Sequence, residues 1–330
     1  MHDIKDIRKN IEKLKKKFQE RNLNFDTSEF NKIDNANRDL IIKKETLEQE
    51  KKLLSKSKEK KNFEKSKSIS NKLDKILLEQ KKSQTQLDYF ISNLPNIAND
   101  EVPIGKDEKN NKLIKKIGNP TNFSFKVKSH IELGSKNNRI DFDTSVKLSG
   151  SRFVVLKGKY AMLERALINF MLDVHTKKFD YLEISPPLIV NEEVMYGTGQ
   201  LPKFEEDQFE LKIDNSNERK FLIPTAEVVL TNLVRKSNLN LNELPLRFVS
   251  ATPCFRKEAG SYGKDTKGMM RQHQFYKVEL VSIVEPKNCI SELDRMLNCA
   301  EQILKKLEIP YQVVLLSTGD MGFSSEKTFD

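Results

Sequence analysis

Residues 254–280, CFRKEAGSYGKDTKGMMRQHQFYKVEL, constrain this chain more than any other stretch. They read as two strands joined by a charged loop punctuated by glycines. Arg256 and Glu258 stand two apart before the loop, and Phe275, Lys277 and Glu279 stand two apart after it. Strand side chains alternate between faces, so each set projects to one side of a sheet. Val278, Leu280 and Ser282 fall on the opposite side, with Val284 beyond, which suits a mostly apolar packed layer. A face carrying an arginine, two carboxylates and a ring is poor core material. It is well suited to a nucleotide and an amino acid; an edge hairpin with solvated charges is the bland alternative.

With 330 residues, 37% of them hydrophobic and 32% charged, the chain is long enough for two domains and a substantial core. The three cysteines, Cys254, Cys289 and Cys299, form no CxxC and no Cys/His ligand set, so they read as free, buried thiols of a reducing compartment. MHDIKDIRKN lacks the apolar core of a signal peptide, and its acidic residues are unlike a transit peptide. No run of about 18 apolar residues occurs, so no membrane span is expected and the cytoplasm is the default location. Of the net charge of +10, the first 90 residues carry +8, from 24 Lys and Arg against 16 Asp and Glu. Such local excess is the footprint of a polyanionic partner, or else a solvated helical surface in a lysine-biased sequence.

The N-terminal region is helical by its spacing. Ile4, Ile7, Ile11, Leu14 and Phe18 make one stripe, and Asp26-Thr27-Ser28 offers a fresh N-cap. Ile33, Leu40, Leu47 and Leu54 then recur at sevens with largely polar positions between them. A return segment offers Ile69, Leu73, Ile76, Leu87, Phe90 and Leu94. Two helices with narrow seams make an antiparallel coiled-coil hairpin that should protrude, ended by Pro95. From about residue 107 the pattern turns to short strands, loops and a few helices. Residues 158–178 form an amphipathic helix with Met162, Ala166, Ile168, Phe170 and Met171 available for burial. It leads into a strand over 181–190, bent or bounded by Pro186 and Pro187. Residues 221–235 read as a strand, a turn at Pro224 and a helix capped near Thr225. Neither GxxxxGK[ST] nor GxGxxG is present, so kinase, ATPase and Rossmann readings lack their phosphate cradle.

Phe255-Arg256-Lys257-Glu258, a loop over 259–271, and His273-Gln274-Phe275-x-x-Val278-Glu279 resemble motif 2 of the class II aminoacyl-tRNA synthetases, the seryl-tRNA synthetases in particular. The helix and proline-containing strand ending at Pro187 resemble motif 1, the family's dimer element; alone, such an arrangement is more often core. Thr225-Ala226-Glu227 resembles the family's serine-binding loop; alone, Thr225 is more often an N-cap. The likeness covers the whole chain, including Val146–Phe153, Tyr196–Phe204 and Thr318–Phe323.

The resemblance implies an α+β protein: an N-terminal antiparallel coiled-coil arm over 1–97, a linker over 98–106, and an antiparallel-sheet catalytic domain with flanking helices over 107–330. It implies ATP-dependent attachment of L-serine to tRNA(Ser), with tRNA(Sec) as a second candidate, by a homodimer using Mg²⁺. Arg256 takes the catalytic role, and Arg256, Lys257, Glu258, Phe275 and Arg271 the ATP-binding roles, with Lys264 a further phosphate or tRNA candidate. Thr225, Ala226, Glu227 and Glu279 take the serine-binding roles, and Pro187 marks the dimer interface. The family's motif 3, with its arginine and the expected metal carboxylate, lies beyond Asp330, so a fragment of a longer protein is expected. Two other readings compete: a paralogue that loads a carrier protein, and a non-catalytic coiled-coil RNA-binding remnant.

Overall fold

The computed structural model describes residues 2–55, 60–136, 139–214, 218–258 and 268–330. It divides into two compact units, Met1–Leu113 with Val314–Asp330, and Ile114–Val313.

In the first unit the N-terminal stripe forms two helices, Ile4–Lys9 and Ile11–Glu20, rather than one. Asn10 breaks them: its side-chain amide donates to Asp6 Oδ1 at 2.7 Å, the local bonding by which Asn competes with helix geometry. Asp26 caps the next helix, Thr27–Leu54, by accepting from the Ser28 and Glu29 amides. The return helix is Lys60–Ser92. The hairpin core is concentrated at its base, where Ile7, Leu14, Phe18, Phe25, Phe30, Leu87 and Leu94 are buried together. Farther along, Ile42, Leu53 and Leu78 are exposed. The polar seam positions have specific partners: buried Asp34 takes a bidentate pair from Arg8, and Asn37 donates to Gln84 at 2.8 Å. Such polar contacts fix register where apolar contacts alone leave it free.

The segment 98–106, expected as a linker, is packed. Ala98 and Val102 are buried with Met321, and the Thr318 amide donates to the Pro103 carbonyl at 2.9 Å. Arg21 donates to the carbonyls of Met321, Gly322 and Ser325. Gly319 is required by this packing, since a Cβ there would lie 2.3 Å from the Lys106 carbonyl oxygen.

The second unit is organised around the strand Leu246–Phe255. It pairs in parallel with Leu182–Glu183 and antiparallel with Gln274–Ile283, in a register placing Cys254 opposite Phe275 and Ser250 opposite Glu279. A second sheet orders Ile189–Asn191, Lys220–Leu222 and Glu210–Leu211 antiparallel. The expected strand over 181–190 is therefore two short strands in two sheets. Pro186 and Pro187 between them cannot donate to a ladder. The helix Lys159–Phe179 buries Val174 and His175, while Met162 and Ala166, expected inside, are exposed. Val278 and Leu280 pack on Tyr181, Val249 and Cys299, as the alternation requires. All three cysteines are free; Cys254 and Cys299 are buried, but Cys289 is exposed at the start of the helix Cys289–Lys306.

A charged cluster ties that helix to the sheet. Arg247 donates to both oxygens of Glu292 at 2.9 and 3.0 Å, and Arg295 donates to Glu292 Oε1 and to the Tyr181 hydroxyl, each at 2.7 Å. Burial by itself raises the Glu292 carboxyl, but the guanidinium bonds outweigh it and bring it down to about 2. A folded value below the unfolded one stabilises the native state above about pH 4.5 and is lost as pH falls toward 2. Glu292→Gln is expected to cost about 3 kcal/mol near neutrality and to flatten the acid limb of stability. Urea melts at neutral and acid pH check this; an equal loss at both would contradict the ion-pair account.

Candidate active site

The strand Leu246–Phe255 ends just before Arg256, and the chain turns out of the sheet through Glu258, whose φ is +51°. Arg256 and Glu258 are thus not on a continuous strand, as the two-residue spacing implied. They are placed by tertiary bonds. The Arg256 amide donates to the His273 carbonyl at 3.0 Å, and its Nε donates to the Pro224 carbonyl at 3.2 Å. The guanidinium lies 5.4 Å from the centroid of Phe275, over the ring. Glu258 accepts from Arg271 at 2.9 Å, and its carbonyl accepts from Arg152 at 3.1 Å. Arg256, Glu258, Met269, Met270, Arg271, Gln272 and Phe275 line one cavity of about 450 Å³. Lys257 is not among them; its ammonium lies 5.8 Å from the Phe209 ring centroid instead. Lys264 falls outside the described residues.

Beside this cavity the strand Gln274–Ile283 continues on the same face with Lys277 and Glu279. Lys277 Nζ stands 2.5 Å from Glu279 Oε2 and donates to Thr225 Oγ1 at 2.8 Å. The Thr225 hydroxyl donates to Glu279 Oε2 at 2.6 Å and accepts from the Glu227 amide at 3.2 Å. Ala226 is the N-cap residue of the helix Glu227–Asn232 and its side chain makes no cap bond; the bond to the first helical amide comes from Thr225, one residue earlier. Ala226 is wholly buried in the core. Burial, then the charge of Glu279, pushes the Glu227 carboxyl up, while Lys277 and Arg256 oppose the rise. The Pro224–Glu227 turn is held to the central strand, because the Phe255 amide donates to the Ile223 carbonyl at 2.9 Å.

The two-residue alternation brings Phe275, Lys277 and Glu279 together, and the structure adds Thr225, Glu227 and Arg256 to them. Three participants carried no chemical assignment in the sequence. Arg152, in the Val146–Phe153 segment, holds the Glu258 backbone, and its own carbonyl accepts from His273 N at 2.9 Å. His273 packs against Phe153 and Phe209, at centroid distances of 5.4 and 6.1 Å. Lys277 was visible in the alternation, without a role. Pro187 is exposed.

The N-terminal domain profile of seryl-tRNA synthetases matches residues 1–98, and the class II tRNA synthetase core domain profile (G, H, P, S and T) matches 208–330. A serine–tRNA ligase from Pelagibacter ubique is 57% identical over the whole chain, which covers 79% of that protein. The chain belongs to the seryl-tRNA synthetase family. A serine–tRNA ligase from Ehrlichia canis is 48% identical, again with all of this chain and 79% of that protein covered. Among solved structures, the seryl-tRNA synthetase from Pyrococcus horikoshii, complexed with ATP, superposes with a TM-score of 0.85 at 32% identity. That match covers 100% of this chain and 80% of the other. The cytoplasmic serine–tRNA ligase from Naegleria fowleri, complexed with AMP, gives a TM-score of 0.74 at 28% identity over 92% of this chain and 71% of that one. Fold and enzyme class follow: this is an α+β class II aminoacyl-tRNA synthetase, and seryl-tRNA aminoacylation is its activity. The non-catalytic and carrier-loading readings fall away. No described helix is long and apolar enough to cross a membrane.

Proposed function

We propose that the face of Arg256, Phe275 and Glu279 holds ATP and L-serine side by side and joins them as seryl-adenylate, ahead of transfer to tRNA(Ser) in the cytoplasm. The observation that carries this is the continuity of one surface. A guanidinium over an aromatic ring, in a cavity of about 450 Å³, adjoins a cluster of two carboxylates and a hydroxyl. The serine carboxylate attacks the α-phosphorus and pyrophosphate departs. A ribose hydroxyl of the terminal adenosine then attacks the seryl carbonyl and AMP departs. Both partners of the first step are anionic, so alignment and positive charge matter more than a general base. Arg256 supplies the planar fork that bridges phosphate and carboxylate, Phe275 a ring face for adenine, and Arg271 charge for the outer phosphates. Glu279 and Glu227 accept from the serine hydroxyl and ammonium. A site that hydrogen-bonds the hydroxyl refuses alanine by leaving its own groups unpaired.

Mg²⁺ accompanies ATP as its counterion. Among the described residues no set of three His, Cys, Asp or Glu side chains is arranged to hold a metal ion, so these residues build no cage for it. A second copy of the chain fits the exposed apolar residues Met162, Leu163, Leu182 and Ile189, with exposed Pro187 in the same sequence region. Glu279→Ala tests the substrate assignment. The serine KM in ATP–pyrophosphate exchange is expected to rise on the order of a hundredfold, as for loss of hydrogen bonds to a charged group, with the ATP KM nearly unchanged. Equal losses for both substrates would make Glu279 a structural residue of the strand.

A further inference from the structure

The Thr225 hydroxyl is fully committed. A hydroxyl has one donor and two acceptor sites, and Thr225 donates to Glu279 while accepting from Lys277 and from the Glu227 amide. It has no bond left for a substrate unless one of these breaks. Both Lys277 and Thr225 meet Glu279 at the same oxygen, Oε2, at 2.5 and 2.6 Å. Both of these contacts therefore load the same oxygen of the carboxylate.

We propose that Lys277 is a positioning residue of the serine pocket, which with Thr225 clamps Glu279 through Oε2 so that Oε1 is the atom that receives the amino acid. The inference rests on Glu279 as the serine-binding carboxylate. The electrostatics at Glu227 agree: burial and the nearby charge of Glu279 raise its carboxyl, and Lys277 and Arg256 are the cations opposing this. Arg256 is held at the Pro224 carbonyl and over Phe275, where the adenylation reading needs it. Among the described residues Lys277 is therefore the cation that pairs with Glu279. Its side chain is 30% exposed, so removing it leaves no cavity in the core.

The test is steady-state pyrophosphate exchange by Lys277→Met, Lys277→Arg and Glu279→Ala in the full-length enzyme. Lys277→Met is expected to raise the serine KM about ten- to a hundredfold, the scale of losing hydrogen bonds to a charged group, with kcat and the ATP KM within a few-fold of wild type. Lys277→Arg, which keeps the charge and a donor, is expected to recover most of that loss. In the Glu279→Ala background Lys277→Met should add little, because the clamp then has nothing to hold. A wild-type serine KM for Lys277→Met beside a damaged Glu279→Ala would overturn the clamp and leave the serine assignment standing. A wild-type serine KM for Glu279→Ala would overturn the serine assignment itself. Equal rises in both substrates' KM for Lys277→Met, or no recovery in Lys277→Arg, would also overturn the clamp.

Discussion

Arg256→Lys in the full-length enzyme is expected to lower serine-dependent ATP–pyrophosphate exchange by roughly a hundredfold or more, while leaving folding intact, by analogy with removing one oriented donor from a developing charge. The reason lies in how the guanidinium is mounted. Its Nε is tied to the Pro224 carbonyl at 3.2 Å and its guanidinium lies over Phe275, 5.4 Å from the ring centroid. The Pro224 bond uses Nε, and the two terminal nitrogens complete the planar fork. A lysine keeps the charge, but has neither the fork nor the planar shape of the guanidinium. The thermal midpoint should move little, since the side chain is half-exposed at the mouth of the cavity rather than in the core. Wild-type exchange by the lysine variant would remove Arg256 from the chemistry.

Replacing residues 41–80 of the arm by a short flexible turn is expected to leave serine adenylation largely unchanged while abolishing efficient tRNA charging. That segment carries twelve lysines against seven carboxylates, a net +5. Each phosphate neutralised by such lysines releases counterions, so tRNA affinity should fall with a log–log salt slope of about 0.7–0.9 per contact. The shortened arm should lose most of that slope. Where to cut is set by the packing. A deletion of the whole hairpin from residue 27 to 94 would remove Phe30, Leu87 and Leu94 from the core shared with Ile7, Phe18 and Phe25. The shorter cut preserves that core, the Arg8–Asp34 pair and the Asn37–Gln84 bond. Pyrophosphate exchange and aminoacylation on the same preparation decide the matter. Normal charging by the shortened protein would make the arm a scaffold and its basic excess a bias of composition.

Local patterns in the chain were enough for much of this. The heptad-like seams and the Asp26 cap locate the helices of the hairpin, because a helix's hydrogen bonds and caps are made within a few residues of one another. The alternation of Phe275, Lys277 and Glu279 against Val278 and Leu280 gives the two faces of the site strand, because the period of a strand is fixed by its backbone. The residues resembling motif 2 carried the family with them.

Other features lay beyond any window of sequence. The strand face that carries the candidate site at one end is core at the other, where Val281 and Ile283 pack against the Phe221 and Phe248 cluster. The first helix is two helices, and the strand around Pro186 and Pro187 is shared between two sheets. The apparent linker is held by Met321 and Thr318, more than 200 residues away.

The sequence by itself determined the arm, the two site strands and the residue types at the site, since these depend on period, caps and motif within short stretches. Only the tertiary structure decided which of those residues act together. Lys257 turned to Phe209, Ala226 went into the core, and Thr225 spent its hydroxyl on Glu279. Lys277 became the cation between them. A hydroxyl or an ammonium has a small, fixed number of bonds to make, and which partners take them depends on what the folded chain brings within 3 Å.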